Sequence, residues 1–196
     1  MPKVKDDFKK KKIIEAAIKV ISEKGFFKST ISTIAYGAEV ADGTIYTYFR
    51  NKEDLLIQSF EYVLDIILDG IYKELKKEND YLKKIKIIIT GHLNFMEQHP
   101  DLANFLQIQL RQSKREIRLK IREIMRKYYK IIGKILSEAI SQGIVRDDVN
   151  LRIIGHMIFG TVDEIVTSWV LAENRCSLTD KADEIYKLII SAIKKR

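Results

Sequence analysis

Cysteine is nearly absent from this chain: Cys176 is the only one in 196 residues. A lone cysteine excludes an intrachain disulfide, so the fold must rest on buried apolar surface. It also suits a reducing compartment, and Cys176, with no base beside it in sequence, reads as inert. Proline is scarce at two and glycine at nine, and so few breaks favour long helices. There is no strand-like alternation of any length and no internal repeat. No apolar run reaches the roughly eighteen residues of a membrane span. The opening MPKVKDDFKKKK lacks the apolar stretch of a secretion signal, so we expect a soluble, cytoplasmic protein with no membrane partner. A Gly-rich phosphate loop, an HExxH pair and a nucleophile elbow are all missing, so no enzyme is expected. His92, His99 and His156 have no cysteine or carboxylate at ligand spacing, so neither a metal nor a cofactor is expected.

What remains is helical periodicity and positive charge. The composition, 46% hydrophobic and 32% charged, is that of a globular domain, and the net charge of +8 permits a polyanionic partner without requiring one. Residues 1–7 read as a basic arm, either frayed or touching phosphate. From Phe8 to Lys24, the apolar residues Ile13, Ala16, Ala17, Val20 and Ile21 keep helical spacing, and Gly25 stands as the stop. One of Phe26 and Phe27 should plug a small three-helix core.

The stretch from Thr30 to Asn51, TISTIAYGAEVADGTIYTYFRN, reads as two short helices joined by a tight turn. Thr30 caps the first, which carries Ile31, Ile34 and Ala35 on one face. The second runs from about Asp42 to Tyr48, with only Ile45 and Phe49 as plain core residues. Its remaining surface is small, polar or aromatic: Asp42, Gly43, Thr44, Tyr46, Thr47 and Tyr48. Such a helix is built to be pressed against something, and in a helix-turn-helix at about 30–49 that partner is the DNA major groove. Thr33, Thr44, Tyr46 and Thr47 are expected to face the groove. Thr30, Tyr48, Lys52 and the Lys9–Lys12 run are expected to hold phosphates, with Gly43 allowing close approach. Asn51 then caps a helix to about Lys77 with Glu53 and Asp54 in its first turn.

These residues carry a resemblance. The pattern T-x3-IA-x4-V-x-x-GT-I-Y-x-YF-x-NKE-x-L resembles the DNA-binding head of TetR-family repressors over roughly residues 8–68. One departure is Glu39, where the family usually has glycine in the turn. If Glu39 adopts positive φ, it does so against steric preference.

Beyond residue 78 the pattern is helical throughout. Expected helices cover about Tyr81–His99, Pro100–Gln109, Ser113 or Lys114 to Gln142, Asp148 or Asn150 to Ala172, and Thr179 or Asp180 to Lys194. Ile153, Ile154, Met157, Ile158, Val162, Ile165, Val166, Trp169 and Val170 span more than half of one helix's circumference, so that helix must be buried on two sides. It is either the centre of a monomeric bundle or part of a homodimer contact through the last two helices. The TetR resemblance implies the dimer, on a palindromic double-stranded operator.

From Arg111 to Lys134, ten basic side chains stand against Glu116 and Glu123. Arg111, Arg115, Arg118, Arg122 and Arg126 step by three or four, along one face if the helix is continuous. The stripe is either a solvated face or a seat for phosphate, which suits arginine's planar fork. A second resemblance bears on this. LQIQLRQS-x4-R-x-KI-x-EI-x3-Y, then MIFGTVDEIVTSWV, resemble the effector domain of the TetR-type FadR regulators of fatty-acid degradation. It implies a repressor that binds long-chain acyl-CoA and then leaves its operator. Phe95, Phe105, Leu106, Leu110, Ile124, Tyr128, Phe159 and Trp169 are the candidate tunnel walls, or plain core. Asp163 and Glu164 leave open a different hydrophobic effector, cationic or drug-like. A non-specific architectural DNA binder is the remote alternative.

The expected architecture is all-α: a three-helix DNA-binding domain at 1–52 and a helical ligand-binding and dimerisation bundle at 53–196.

Overall fold

The computed structural model describes residues 3–173 and 176–195. Nine α-helices account for most of them: α1 (Lys3–Lys28), α2 (Ile31–Gly37), α3 (Asp42–Tyr48), α4 (Lys52–Leu75), α5 (Tyr81–Gln98), α6 (Pro100–Leu110), α7 (Arg115–Ser141), α8 (Leu151–Leu171) and α9 (Ala182–Ile193). A 3-10 turn, Thr179–Lys181, leads into α9. An isolated antiparallel bridge joins Val145 to Lys194. Among the described residues no helix is long and apolar enough to cross a membrane.

Packing divides the chain into two compact units. One holds the residues up to Leu64 together with Asn104–Arg122; the other holds Asp65–Ala103 and the residues from Glu123 onward. This division differs from the one expected by role, at 52/53. Helices α4, α6 and α7 each contribute residues to both units, because a continuous helix does not stop where a core changes.

The core of the first unit follows the sequence pattern. Ile13, Ala17, Ile21, Ile34, Ile45, Phe49, Leu55, Leu56 and Phe60 are all at most 1% exposed. Gly25 breaks α1 at φ 75°, and the Ser29 N–H and hydroxyl both donate to its carbonyl. That bend buries Phe26 and leaves Phe27 71% exposed. Residues 1 and 2 of the expected arm lie outside the described residues. From Lys3 the backbone is already helical, since no proline or glycine interrupts it before Gly25.

In the second unit α5 packs on α8 and α9, and α8 on α9. Ile85, Ile88, Ile89 and Leu93 meet this core from α5, Ile154, Ile158, Val162 and Val166 from α8, and Ile185, Ile189 and Ile193 from α9. Caps hold the ends. The Asp80 carboxylate accepts from the Leu82 and Lys83 N–H groups, and Asn150 caps α8 through Arg152 N–H. The Glu97 carboxylate accepts from the N–H groups of Leu178 and Thr179. The indole N–H of buried Trp169 donates to the Cys176 carbonyl at 2.6 Å.

Among the described residues of this second unit, the buried polar exception is His92. Its Nδ1 lies 3.0 Å from the Tyr128 hydroxyl, and its Nε2 has no partner. Its ring is packed against Tyr128 and Phe159, with centroids at 5.5 and 6.3 Å. Burial pushes its pKa down to about 4 and pushes the Tyr128 phenol up, in each case by disfavouring the charged form. An unfolded chain takes this proton near the ordinary 6.5. Below that pH, protons therefore bind the unfolded state preferentially, and stability falls until about pH 4. His92→Phe should remove a loss of about 3 kcal/mol across that window. Urea unfolding at half-unit pH steps measures it; parallel curves for variant and wild type would contradict a buried neutral imidazole.

Candidate functional site

Helices α2 and α3 form the helix-turn-helix. Thr30 caps α2, its hydroxyl accepting from Thr33 N–H at 3.1 Å and lying 2.8 Å from the Thr33 hydroxyl. The turn is closed by Ala38 N–H to Ile34 and Val40 N–H to Ala35. Glu39 takes the left-handed position, at φ 54°. Its carboxylate pairs with the Lys12 ammonium, whose hydrogen bond and charge hold it below the usual carboxylate range. Gly37, by contrast, is an ordinary helical residue, and a Cβ there would only touch Ala16 at 3.5 Å.

In α3, Ile45 and Phe49 point inward and are buried. Gly43, Tyr46 and Thr47 are exposed, and Thr44 and Tyr48 are half-buried. The Ser32 hydroxyl donates to the Asp42 carboxylate, tying the start of α3 to α2. The Thr47 hydroxyl donates back to the Thr44 carbonyl at 2.7 Å. A Cβ on Gly43 would meet nothing of this chain within 4 Å, so the bare backbone there is available to a partner.

Most of the lysines expected to hold phosphates have contacts within the chain. The Lys52 ammonium is directed at the α1–α2 link: 2.8 Å from the Ser29 carbonyl, 3.5 Å from that of Phe27 and 4.5 Å from the Phe26 ring centroid. It braces the segment that presents Thr30. The Lys9–Lys12 run does not act as one patch, because successive helical residues turn by about 100°. Lys10 lies 5.8 Å from the Phe49 ring, Lys11 is 3.8 Å from Glu15, and Lys12 pairs with Glu39.

The arginine stripe is also broken. Helix α6 ends at Leu110 and α7 begins at Arg115, so Arg111 leaves the α7 face. Its Nη1 donates to the Gln107 side chain at 2.6 Å and to the Gln107 carbonyl at 3.2 Å. Arg115, Arg118, Arg122 and Arg126 remain on α7, all exposed. Arg118 donates to the Ser113 carbonyl at 3.1 Å. Part of the basic excess is answered by acids of α4, outside the segment counted in sequence. Lys114 meets Glu53 and Lys127 meets Asp65, each at 2.8 Å. The Lys114 hydrogen bond holds the Glu53 carboxyl below its usual range.

The tunnel candidates divide between the units. Phe105 and Leu106 are buried and Leu110 half-buried in the first. In the second, Tyr128 and Phe159 meet at 5.2 Å beside His92, and half-buried Phe95 lies against His99 at 4.7 Å. Ile124 and Trp169 are buried there. Asp163 is half-buried and raises the pKa of Tyr128 and Tyr129 after the larger effect of burial, while Glu164 is exposed. Sequence reasoning missed a run of buried glutamines, Gln107, Gln109 and Gln112. The alternation in LQIQL gave them the look of surface residues, and three amides within six residues of an apolar helix end were the available signal.

A helix-turn-helix whose second helix turns a polar face outward, continued by a long helix into an α-helical C-terminal part, defines a DNA-binding regulator. The sequence matches the model of bacterial regulatory proteins, tetR family, over residues 13–58. It matches that of the YsiA-like protein C-terminal region over residues 60–192. The chain belongs to the TetR family. It is 38% identical over 181 residues to the fatty acid metabolism regulator protein of Bacillus subtilis (strain 168), covering 92% of this chain and 93% of that protein. The crystal structure of the transcriptional regulator FadR from Bacillus subtilis in complex with stearoyl-CoA superimposes with a TM-score of 0.89 at 38% identity, covering 93% of this chain and 98% of that one. The fatty acid degradation regulator FadR from Bacillus halodurans gives 0.88 at 37%, covering 92% and 97%.

The strained turn makes a prediction. Glu39→Val, β-branched at positive φ, should lower the melting temperature by a few degrees, whereas Glu39→Gly should hold or raise it. Equal melting temperatures for all three proteins by calorimetry would show that the turn carries no backbone strain.

Proposed function

We propose that this chain is a cytoplasmic, homodimeric transcriptional repressor that binds a palindromic operator and is released from it by long-chain acyl-CoA. The observation that carries the reading is the likeness along nearly the whole chain to a regulator crystallised with stearoyl-CoA. The exposed arginine face of α7 is suited to a phosphate-rich head group. Residues 1–52 would serve the DNA, and residues 53–196 the effector and the dimer.

On DNA, Thr44, Tyr46, Thr47 and Thr33 would meet the major groove around an α3 brought close by Gly43. Thr30 and Tyr48 would hold phosphates. Asp42 and Lys52 support these groups from behind through Ser32 and the α1–α2 link. The dimer would form through α8 and α9, where Ile153, Leu171 and Leu188 are 62, 78 and 64% exposed. Two heads are needed for half-sites about 34 Å apart.

Within the first unit, the Lys114–Glu53 pair ties the start of α7 to the first turn of α4, four residues after the recognition helix ends. Acyl-CoA phosphates held by Arg115, Arg118 and Arg122 would favour one position of that joint over another. A ligand shifts the equilibrium only by its differential affinity for the two states.

Tyr48→Ala should weaken binding to every sequence by roughly tenfold, and Thr44→Ala should alter preference among operator variants. Fluorescence anisotropy on an operator library reads both, and wild-type affinity in both variants would remove α3 from the interface. For the effector, palmitoyl-CoA should dissociate the operator complex. Arg118→Ala with Arg122→Ala should raise the ligand concentration needed by about tenfold or more, with a shallower salt dependence. An operator complex that persists in saturating palmitoyl-CoA would sink the effector assignment while leaving the DNA head intact.

A further inference from the structure

Gln107, Gln109 and Gln112 are 5, 1 and 6% exposed at the α6–α7 joint. Buried amides are costly unless their hydrogen-bonding groups are matched. Here the matching runs as a relay. The Gln112 oxygen accepts from Ser113 N–H at 3.0 Å and Lys114 N–H at 3.5 Å, at the start of the 27-residue α7. Backbone N–H groups only donate, so that end of Gln112 is oxygen and its other end is NH2. This NH2 donates to the Gln109 oxygen at 3.0 Å. Gln109 is thereby oriented as well, and its own NH2 is left buried with no acceptor. Flipping Gln109 would set two donors against each other, and flipping Gln112 would set a carbonyl-like oxygen against the Gln109 oxygen. The relay ends in a fixed donor.

The same joint carries Arg111 and Arg118, the latter donating to the Ser113 carbonyl, and within the same unit Phe105 and Leu106 of α6 and Ile117 and Ile121 of α7 are buried. A ligand that engaged the arginines, this donor and apolar side chains together would carry an anionic part, a hydrogen-bond acceptor and an apolar part.

We propose that Gln109 is a specificity-determining residue of the effector site, its NH2 donating to the thioester carbonyl of the acyl-CoA. This rests on the acyl-CoA reading above and deepens it. The thioester carbonyl is the polar group of that ligand nearest the acyl chain, and so the one that a fully buried donor meets. A free alkyl chain, or a CoA thioether in which CH2 replaces the carbonyl, leaves the donor unmatched. An unmatched buried donor is penalised beyond the loss of the bond itself.

The test compares palmitoyl-CoA with S-hexadecyl-CoA by titration calorimetry. Wild type should prefer the thioester by roughly fivefold or more, the ratio that one neutral hydrogen bond gives. Gln109→Met, equal in length and without the donor, should bring that ratio to one, chiefly by weakening palmitoyl-CoA. Equal affinities in wild type, or a ratio unchanged in the variant, overturn the assignment of Gln109 while leaving the acyl-CoA reading standing. Failure of wild type to bind either ligand overturns both. Gln109→Met also removes the acceptor used by Gln112, so a measurement on wild type guards against a variant that does not fold. Bound palmitoyl-CoA labelled with 13C at the carbonyl should show its infrared carbonyl stretch shifted down from its position in hexane. An unshifted band overturns the proposal.

Discussion

Seven residues of helix do not persist alone in water, because nucleation is unfavourable and too few hydrogen bonds follow it. Helix α3 is that short, and it carries the groove-facing residues of the proposed operator contact. Its shape must therefore be supplied by its neighbours. Ile45 and Phe49 anchor it into the core, and Ser32 holds Asp42 at its first residue. The turn before it is held by Glu39, itself restrained by Lys12 on α1. The helix after it starts on Asn51, whose side chain accepts from Asp54 N–H at 2.8 Å. Lys52 then reaches back to the carbonyl of Ser29. The head is a set of supports around one short element, and the contacts of Ser32, Glu39, Lys12, Asn51 and Lys52 serve that dependence.

The same economy governs the long basic segment. Its charge excess reads in sequence as a problem of repulsion. In three dimensions, Glu53 and Asp65 of α4 each take one of its lysines, and Arg111 and Arg118 bind main-chain or amide oxygens. Exposed ion pairs of this kind contribute little to stability. Their effect is positional: they fix which part of α7 lies beside which part of α4. What they leave outward, on α7, is a narrower face than the sequence count suggests.

The helices were legible because apolar residues at intervals of three and four are a local signal. Thr30, Asp80 and Asn150 cap where their side chains allow, and Gly25 and Gly143 bend the chain at positive φ, as glycine after a helix does. The recognition helix was legible for the opposite reason: its outward residues, Thr44, Tyr46 and Thr47, are wrong for a core. What escaped the sequence were pairings between distant residues. Lys12 with Glu39 and Lys114 with Glu53 are 27 and 61 positions apart, and no local pattern records such a distance. The break after Leu110 falls within a residue or two of the one expected between Gln109 and Ser113 or Lys114, and it is this break that takes Arg111 off the α7 face. Glutamine is as common on surfaces as any polar residue, so burial of Gln109 becomes visible only once α6 and α7 are in place.

The chain has a single tryptophan. Trp169 lies 4% exposed on α8, with its indole N–H bound to the Cys176 carbonyl. Indole emission moves to shorter wavelength when the ring is shielded from water, and it responds to its hydrogen bond. With no second tryptophan to blur the signal, the protein carries its own optical probe at one defined place. Steady-state fluorescence can therefore follow loosening of the α8 end during unfolding, assembly or ligand titration without any label.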